Sequence, residues 1–437
     1  MVNCRRCLSL LVGLLASPAW AAPTVDEQLS DLRRRLDEQG AELQQLRAAP
    51  PGVRIALHGF VQADVVAFQQ ASVDELDPST GEPLNLTRFL LRRARLRVEV
   101  EQRYVGGTLE FDGNTVRGPV ARVTNAEVWV RLPSRTVLPW LRLVVGLLRI
   151  PYGFEVQERD DQRLFLERST LARALFPGEF DLGARLEGNW RWLRVQCAVL
   201  NGHPAGDAQF ALRDPTETKE LVGHVGVDAG GGRVRVQAGV SAVWGTGFHA
   251  GTAATKDTVI WRDANLDGQV DATELIGVPG MAAVASQSFG RWGFGGDVRL
   301  TVEVPRLGPL VVAGELSVAS DLDRAIVPAD PVAVGRSARE LGGYVLVSQA
   351  LTKWAAIGFR YDRYDPDADA QERVAANVVP RDLSISTWSV VAAVMYAPWA
   401  RLTLQWDRQT NPFGRTAAGA PTTLGRDAVT LRAQVVF

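Results

Sequence analysis

The chain has 437 residues, 46% of them hydrophobic, and a formal net charge of −1. This near-neutral balance excludes the overall basic character of a nucleic-acid-binding protein. Beyond the first 21 residues, no stretch approaches the roughly eighteen consecutive apolar residues that indicate a membrane-spanning helix. Two of the three cysteines lie within the first seven residues, which excludes a disulfide-stapled fold.

Residues 1–21 have the features of a signal peptide. Arg5 and Arg6 form a short positive region, residues 8–16 form an apolar run too short to span a bilayer, and residues 19–21 form a small-x-small cleavage pattern. A short buried helix is the alternative, but it does not explain why the three features occur together. We predict cleavage after Ala21 and export of the mature chain.

Residues 22–49 are predicted to form a periplasmic coiled-coil helix. Mostly apolar residues recur at spacings of three and four, which is the heptad pattern. The seam consists of Val25, Leu29, Leu32, Leu36, Gln39, Leu43 and Leu46. Three heptads are marginal alone, so we expect the helix to form with partner chains. A lone amphipathic helix or a frayed tail is the alternative. The proline pair and glycine at 50–52 end the helix as a linker.

Residues 53–437 change to a period of two, with one apolar and one polar face. In the first segment Ile55, Leu57, Val61, Ala63 and Val65 oppose Arg54, His58, Gln62 and Asp64. In the second, Leu90, Ala94, Leu96, Val98 and Val100 oppose Arg93, Arg95, Arg97, Glu99 and Glu101. An apolar face for lipid and a charged face for water are typical of a transmembrane antiparallel β-barrel. The inner faces of a soluble sandwich rarely carry charged residues in series.

Seven short and eight long connections separate the alternating segments, which predicts about sixteen strands with both ends on the short-turn side. Two of the long outer loops cover residues 151–179 and 245–290. Seven tryptophans lie at or near strand ends, as an aromatic girdle requires: Trp140, Trp190, Trp192, Trp244, Trp292, Trp354 and Trp399. Apolar residues alternate along the final segment up to Phe437. A last strand that ends in an aromatic residue is the signal by which bacterial outer-membrane barrels are recognised by their assembly machinery. We therefore predict a location in that membrane, surrounded by its lipid.

Several segments resemble the phosphate-selective porin family, porins O and P. They are residues 89–96 (Phe-Leu-Leu-Arg-Arg-Ala-Arg-Leu), 145–155 (Val-Gly-Leu-Leu-Arg-Ile-Pro-Tyr-Gly-Phe-Glu) and 165–169 (Phe-Leu-Glu-Arg-Ser). The resemblance implies a homotrimeric porin of sixteen strands that passes small hydrophilic solutes by diffusion. Its third long loop, here 151–179, folds into the lumen and narrows it. Phosphate-selective members line the pore with arginines and key lysines, whereas Leu147 and Arg149 stand here in place of the family's glutamine and lysine.

The candidate pore-lining residues are Arg93, Arg95, Arg97, Glu99, Arg149, Arg159, Arg163, Glu167 and Arg168. Acidic residues interleave with the loop arginines, which favours a transverse field across the pore over a purely anion-attracting funnel. An anion or phosphate preference is expected from the family resemblance. Alternatively, Arg93, Arg95 and Arg97 pair with acidic neighbours and brace the wall.

Residues 263–274 of the 245–290 loop fit the twelve-residue EF-hand pattern for Ca²⁺. The oxygen ligands are predicted to come from Asp263, Asn265, Asp267, Gln269, Asp271 and Glu274. Gly268 permits the sharp bend at the sixth position. Because residues 258–261 look extended, we expect a single loop of weak affinity that takes Ca²⁺ from an external pool. A solvated acidic surface loop is the alternative.

Catalysis is not indicated. The four histidines lack zinc-ligand spacing, and neither a nucleophile elbow nor a phosphate-binding glycine loop is present. The competing function is a structural or adhesive anchor without significant transport, whose coiled coil contacts peptidoglycan and whose outer loops bind external partners. Ion conductance distinguishes the anchor from the porin.

Overall fold

The computed structural model describes residues 52–77, 81, 83–132, 138–262, 268–374, 377–416, 420–422 and 425–437. The predicted signal peptide and coiled-coil helix lie outside these ranges. The chain divides into two units, Met1–Val53 and Arg54–Phe437, and the following description concerns the second. Within the described ranges, no helix is both long and apolar enough to cross a membrane.

Sixteen antiparallel strands form a closed barrel, which confirms the predicted fold class. Each strand pairs with its neighbours in the chain, and the first pairs with the last. The strands are β1 Arg54–Phe68, β2 Arg88–Glu101, β3 Val105–Asn114, β4 Val120–Leu132, β5 Leu141–Arg149, β6 Phe180–Trp190, β7 Leu193–Leu200, β8 Glu220–Gly231, β9 Val234–His249, β10 Gln287–Glu303, β11 Pro309–Ser320, β12 Arg339–Thr352, β13 Ala355–Asp365, β14 Ile385–Ala397, β15 Ala400–Thr410 and β16 Ala428–Val436. Closure leaves no unpaired strand edge to expose backbone polar groups.

Short elements decorate the long loops. Two helices are present in the described residues, α1 Thr170–Leu175 and α2 Pro331–Val334. Three small hairpins pair Ser72–Leu76 with Pro83–Asn85, Thr258–Trp261 with Leu275–Val278, and Gln371–Val374 with Asn377–Pro380. One turn of 3-10 helix, Ala272–Glu274, precedes the second strand of the middle hairpin.

The alternating pattern becomes an apolar outside and a polar inside. On β1, Val61 is 38% exposed whereas its neighbour Gln62 is fully buried. On β16, Leu431 is 38% exposed and Arg432 only 2%. Exposed apolar and buried polar side chains reverse the arrangement of a water-soluble protein. They fit a barrel with lipid outside and a polar interior.

The prediction that Leu90 faces lipid is wrong, because β2 contains a bulge. The pairing with β1 shifts between Gln62 and Ala63, so that Arg92 has no partner on β1. One extra residue reverses the side-chain direction of everything beyond it. Leu90 therefore pairs with the inward-facing Asp64, while Phe89 is 83% exposed on the outer surface.

The last residue of the sequence completes the barrel seam. The Phe437 N–H donates to the Gly59 carbonyl at 2.9 Å, and the Gly59 N–H donates to the Phe437 carbonyl at 2.8 Å. A Cβ atom at Gly59 would lie 2.5 Å from the Phe437 ring. The glycine on β1 thus provides the space that this aromatic ring occupies.

Tryptophans lie at two levels of the barrel wall. Five tryptophans at the short-turn end are exposed: Trp140, Trp190, Trp192, Trp354 and Trp399. Trp244 and Trp292 pair with each other well inside β9 and β10. These two strands continue to His249 and from Gln287, so they extend beyond that pair before the loop begins. Two aromatic levels are the arrangement expected at the two surfaces of a bilayer.

Candidate functional site in the barrel interior

The loop of residues 150–179, which joins β5 to β6, folds into the barrel. The Gly153 N–H donates to the Ser241 Oγ of β9 at 2.9 Å. Farther along, the Asp161 carbonyl accepts a hydrogen bond from the Gln434 side chain of β16 at 3.0 Å. Going round the barrel, β9 and β16 lie on opposite sides of β5 and β6, the two strands that the loop joins. The loop therefore crosses the interior, and we call it the constriction loop.

An apolar cluster fixes one side of the constriction loop. Ser169 caps the N-terminus of helix α1, and its Oγ accepts the Ala172 N–H. The cluster joins α1 to the wall and includes Val144, Leu148, Ile150, Leu171, Leu175, Phe176, Leu200, Val243, Leu322 and Tyr364. Leu148 and Val144 belong to β5 and are fully buried, so this part of the interior is dry.

On the side of the loop away from the apolar cluster, charged residues form two ionic clusters. Asp160 lies at the centre of the first. Its side chain is fully buried and forms ion pairs with Arg95 at 2.7 Å and Arg168 at 2.8 Å. Arg93 approaches at 3.7 Å, and Arg163 also pairs with this carboxylate. Burial alone would raise the pKa of the Asp160 carboxyl. The surrounding guanidinium groups outweigh that effect and hold its pKa well below the usual range.

Glu167 forms a second ionic cluster with the barrel wall. Its carboxylate pairs with Arg92 at 2.7 Å, Arg93 at 3.1 Å and Arg432 at 2.8 Å. Burial opposes ionisation, but these three guanidinium groups hold the pKa of Glu167 well below its usual range. The bulge explains why two consecutive arginines of β2 reach the same carboxylate. Arginines of the wall thus pair with carboxylates of the loop. These carboxylates stay ionised, and the ion pairs anchor the loop.

Glu315 of β11 holds the beginning of the constriction loop. Its Oε1 accepts the Phe154 N–H and the Tyr344 hydroxyl, both at 2.9 Å, and also the Glu155 N–H. Gly153 has φ +55°, and a Cβ atom there would collide with the Glu315 carboxylate. The loop can approach this wall so closely only with glycine at that position.

The predicted pore-lining residues fall into three groups. Arg93, Arg95, Arg163, Arg168 and Glu167 belong to the two ionic clusters. Arg97 pairs with Glu99 at 3.4 Å, and Arg159 with Asp161 at 3.0 Å. The Arg159 side chain is 40% exposed, the most of the nine. Arg149 donates to the Val156 and Glu158 carbonyls and stacks on the Phe180 ring.

Sequence reasoning missed the wall residues that receive the loop. The main ones are Glu315, Arg360 and Arg432. Arg360 pairs with Glu155 at 3.3 Å, and Arg432 pairs with Glu167 at 2.8 Å. Each occupies an inward-facing position of its strand, so the alternation could have identified them as interior residues. Their loop partners follow only from the path of the loop.

The predicted calcium loop is described in part. Asp263, Asn265 and Asp267 lie outside the described residues, whereas Gln269 and Asp271 are exposed and Glu274 is buried. Gly268 has φ +73°, the bend that the sixth position requires. The Trp261 indole N–H donates to the Glu274 carboxylate at 3.0 Å. The hairpin of 258–261 and 275–278 flanks the loop, so the predicted extended approach is confirmed. In the described ranges no cluster of three metal-binding side chains occurs.

Comparisons with solved structures support the barrel fold. OprB of Pseudomonas putida aligns with a TM-score of 0.54 at 11% identity, covering 92% of this chain and 97% of that chain. The outer membrane channel DcaP of Acinetobacter baumannii aligns with a TM-score of 0.52 at 12% identity, covering 89% and 99%. OmpT, an outer membrane protein of Vibrio cholerae in a trimer form, gives 0.50 at 10% identity, covering 88% and 100%. No family model and no curated protein matches the sequence. At these identities the likeness establishes the fold.

Proposed function

We propose that the chain is an outer-membrane porin that passes small hydrophilic solutes by passive diffusion. The observation that carries the proposal is a charged loop crossing the interior of a closed barrel whose outer face is apolar. Such a loop narrows an aqueous passage and places fixed charges along it. The proposal involves no catalytic step, and it includes a homotrimer embedded in outer-membrane lipid.

The anion or phosphate preference is a finer part of the proposal. Arginines of several strands face the interior, among them Arg95, Arg360 and Arg432. Loop carboxylates neutralise much of this charge, so the selectivity is expected to be modest and to depend on which arginines remain uncompensated. The resemblance to the phosphate-selective porin family stays a prediction.

Single-channel recording tests the porin against the anchor. We expect purified protein inserted into a planar bilayer to produce stepwise conductance increases in potassium chloride. Deleting residues 22–49 serves as a control and should leave each step unchanged, because that segment precedes the barrel. A folded barrel that inserts without conducting would contradict the porin. It would favour the anchor, particularly if the deletion loosened the cell envelope.

We propose in addition that residues 263–274 bind Ca²⁺ weakly and order the long outer loop. Asp263, Asn265, Asp267, Gln269, Asp271 and Glu274 would supply the oxygen ligands. Support comes from the left-handed backbone at Gly268 and from the buried carboxylate of Glu274 at the end of the segment. Because residues 263–274 belong to the long outer loop, the bound metal would shape the mouth of the barrel.

Terbium luminescence tests the calcium proposal, since Tb³⁺ substitutes for Ca²⁺ and accepts energy from a nearby indole. We expect Trp261, 3.0 Å from the Glu274 carboxylate, to sensitise bound Tb³⁺. Calcium at about 10⁻⁴–10⁻³ M should displace it, which is the range of extracellular loops. Glu274→Gln should abolish the signal. Trp261→Phe is the matched control and should reduce sensitisation while leaving calcium binding measurable by calorimetry. Equal luminescence in the native protein and in Glu274→Gln would exclude the site.

A further inference from the structure

The short turns of the barrel carry no acidic residue. Counted between the strand ends given above, they comprise residues 102–104, 133–140, 191–192, 232–233, 304–308, 353–354 and 398–399. Five of these turns contribute one described cation each, and the five residues define the basic rim: Arg103, Arg191, Arg233, Arg306 and Lys353. The long loops at the opposite end carry charges of both signs. Unmixed positive charge is therefore concentrated in the turns at one end of the barrel.

The cations of the basic rim are exposed and uncompensated. All five residues are exposed, and none forms an ion pair within the described ranges. Two carboxylates of the adjoining strands have partners of their own, since Glu101 pairs with Arg131, and Asp228 with Arg235 at 2.6 Å. Glu303 and the carboxylate at the C-terminus lower the net charge at this end, but five cations outnumber them. Four consecutive short turns, from β6 to β13, belong to the rim, so its charge extends around half of the sixteen strands.

An exposed apolar side chain follows each cation of the basic rim. These next residues are between 44% and 52% exposed: Tyr104, Trp192, Val234, Leu307 and Trp354. The Arg103 guanidinium lies 5.1 Å from the centroid of the Tyr104 ring. The Lys353 ammonium lies 4.9 Å from the centroid of the Trp354 ring. Tyrosine and tryptophan at the end of a barrel wall lie at the level of the lipid headgroups, so the adjoining cations lie at that level too.

Two arginines of the basic rim occupy backbone positions that favour glycine. Arg191 has φ +52° and Arg306 has φ +70°, in the left-handed region that other residues rarely adopt. Glycine adopts this conformation without steric cost, as Gly232 does in a neighbouring short turn with φ +67°. Turn geometry therefore does not explain the arginine at either position, whereas a role for its charged side chain does.

We propose that the basic rim binds the headgroups of anionic phospholipids in the inner leaflet of the outer membrane. A cationic side chain near an anionic bilayer surface contributes about 1 kcal/mol, and the guanidinium fork suits phosphate oxygens. Two strand spacings, roughly 10 Å, separate neighbouring short turns, so several lipids can bind side by side. The apolar residue after each cation favours lipid over a polymer in the periplasm, which offers no hydrocarbon. The inference goes beyond the porin proposal and does not depend on conduction.

Quenching of tryptophan fluorescence by brominated lipids tests the proposal. Full-length protein is reconstituted into mixed vesicles of phosphatidylcholine and phosphatidylglycerol, in which one or the other lipid carries bromine on its acyl chains. The five exposed tryptophans at the short-turn end report which lipid is next to the basic rim. We expect the native protein to prefer phosphatidylglycerol about twofold or more, averaged over all surrounding lipids. The preference should weaken in concentrated salt, which screens exposed charges.

Three variants identify the residues responsible. Changing all five cations of the basic rim to glutamine should abolish the preference for phosphatidylglycerol. Arg191→Gly combined with Arg306→Gly suits the backbone of both turns, so it remains informative if the first variant fails to fold, and it should reduce the preference. The matched control changes five exposed arginines at the opposite end to glutamine and should keep the native preference: Arg336, Arg339, Arg363, Arg373 and Arg381.

Equal quenching by the two brominated lipids in the native protein would overturn the proposal. A native preference in either rim variant, or its loss in the control, would also overturn it, because net charge or another surface would then attract the lipid. Inorganic phosphate should not remove the preference, and its doing so would reassign the rim to a free anion. Binding to isolated peptidoglycan that needs the rim, without any lipid preference, would reassign it to the cell wall. A lipid preference in a barrel that never conducts would overturn the porin alone.

Discussion

Asp160→Asn is expected to release the constriction loop and raise the single-channel conductance. The substitution removes one buried carboxylate that pairs with Arg93, Arg95, Arg163 and Arg168. Their positive charges would then repel one another in a site closed to water. Removing one partner of a buried ion pair costs about 3–5 kcal/mol. That loss falls on the folded position of the loop, since the strand pairing of the barrel does not involve Asp160.

Asp161→Asn provides the matched control. Asp161 is the next residue, and its carboxylate pairs with Arg159, whose side chain is 40% exposed. Exposed pairs contribute about 1 kcal/mol or less, so the conductance should change little. The Asp161 backbone carbonyl, which receives Gln434, is unaltered by this substitution. Equal conductance in the two variants would show that the Asp160 cluster does not hold the loop.

The second large effect is expected from changing Arg93, Arg95 and Arg97 together to glutamine. Three positive charges disappear from the inner face of β2, and Asp160 and Glu167 lose partners. Two unit charges 4 Å apart in water interact with an energy of about 1 kcal/mol, so each arginine can favour a passing anion by about that amount. The ratio of anion to cation permeability should therefore fall roughly fivefold or more. Reversal potentials measured across a potassium chloride gradient give this ratio directly.

A control triple separates local charge from net charge. Arg336, Arg339 and Arg363 have side chains that are 45%, 54% and 53% exposed. Changing them to glutamine alters the net charge of the chain by the same amount, but salt screens charges on the outer surface. The reversal potential should shift much less than in the interior triple. An unchanged potential in the interior triple would refute a selectivity role and leave these arginines as braces of the wall.

The strand pattern could be read from the sequence because lipid and water impose it on each strand locally. Leu431 and Arg432 alternate in exposure as their residue types predict. The bulge at Arg92 could not be predicted from the sequence. It arises because Arg92 is an extra residue in the pairing of β2 with β1, and nothing in the residue types of β2 marks that position. Its consequence, two consecutive arginines on Glu167, is a property of the paired strands.

The contents of the interior were harder to predict for a different reason. The alternation placed Arg95 on the inner face, but its partner Asp160 belongs to a loop whose path depends on the whole barrel. The sequence predicted that the strands turn a charged face to water inside the barrel, whereas Val144 and Leu148 pack there against α1. The constriction loop supplies the apolar side chains that cover these two residues, and this packing holds the loop against the wall. The rule of polar residues inside holds only where water remains.

The connections of the constriction loop impose an order on assembly. Gln434 and Arg432 belong to β16, and Arg401 to β15, and all three bind backbone or side-chain atoms of the loop. A chain whose final hairpin has not yet docked lacks these contacts, so the part of the loop around residues 161–166 is not yet held in place. The beginning of the loop can already bind β9 and β11 at that stage, whereas its later part becomes fixed only with the last two strands. The full set of contacts to the constriction loop is therefore complete only when the seam between the first and last strands has closed.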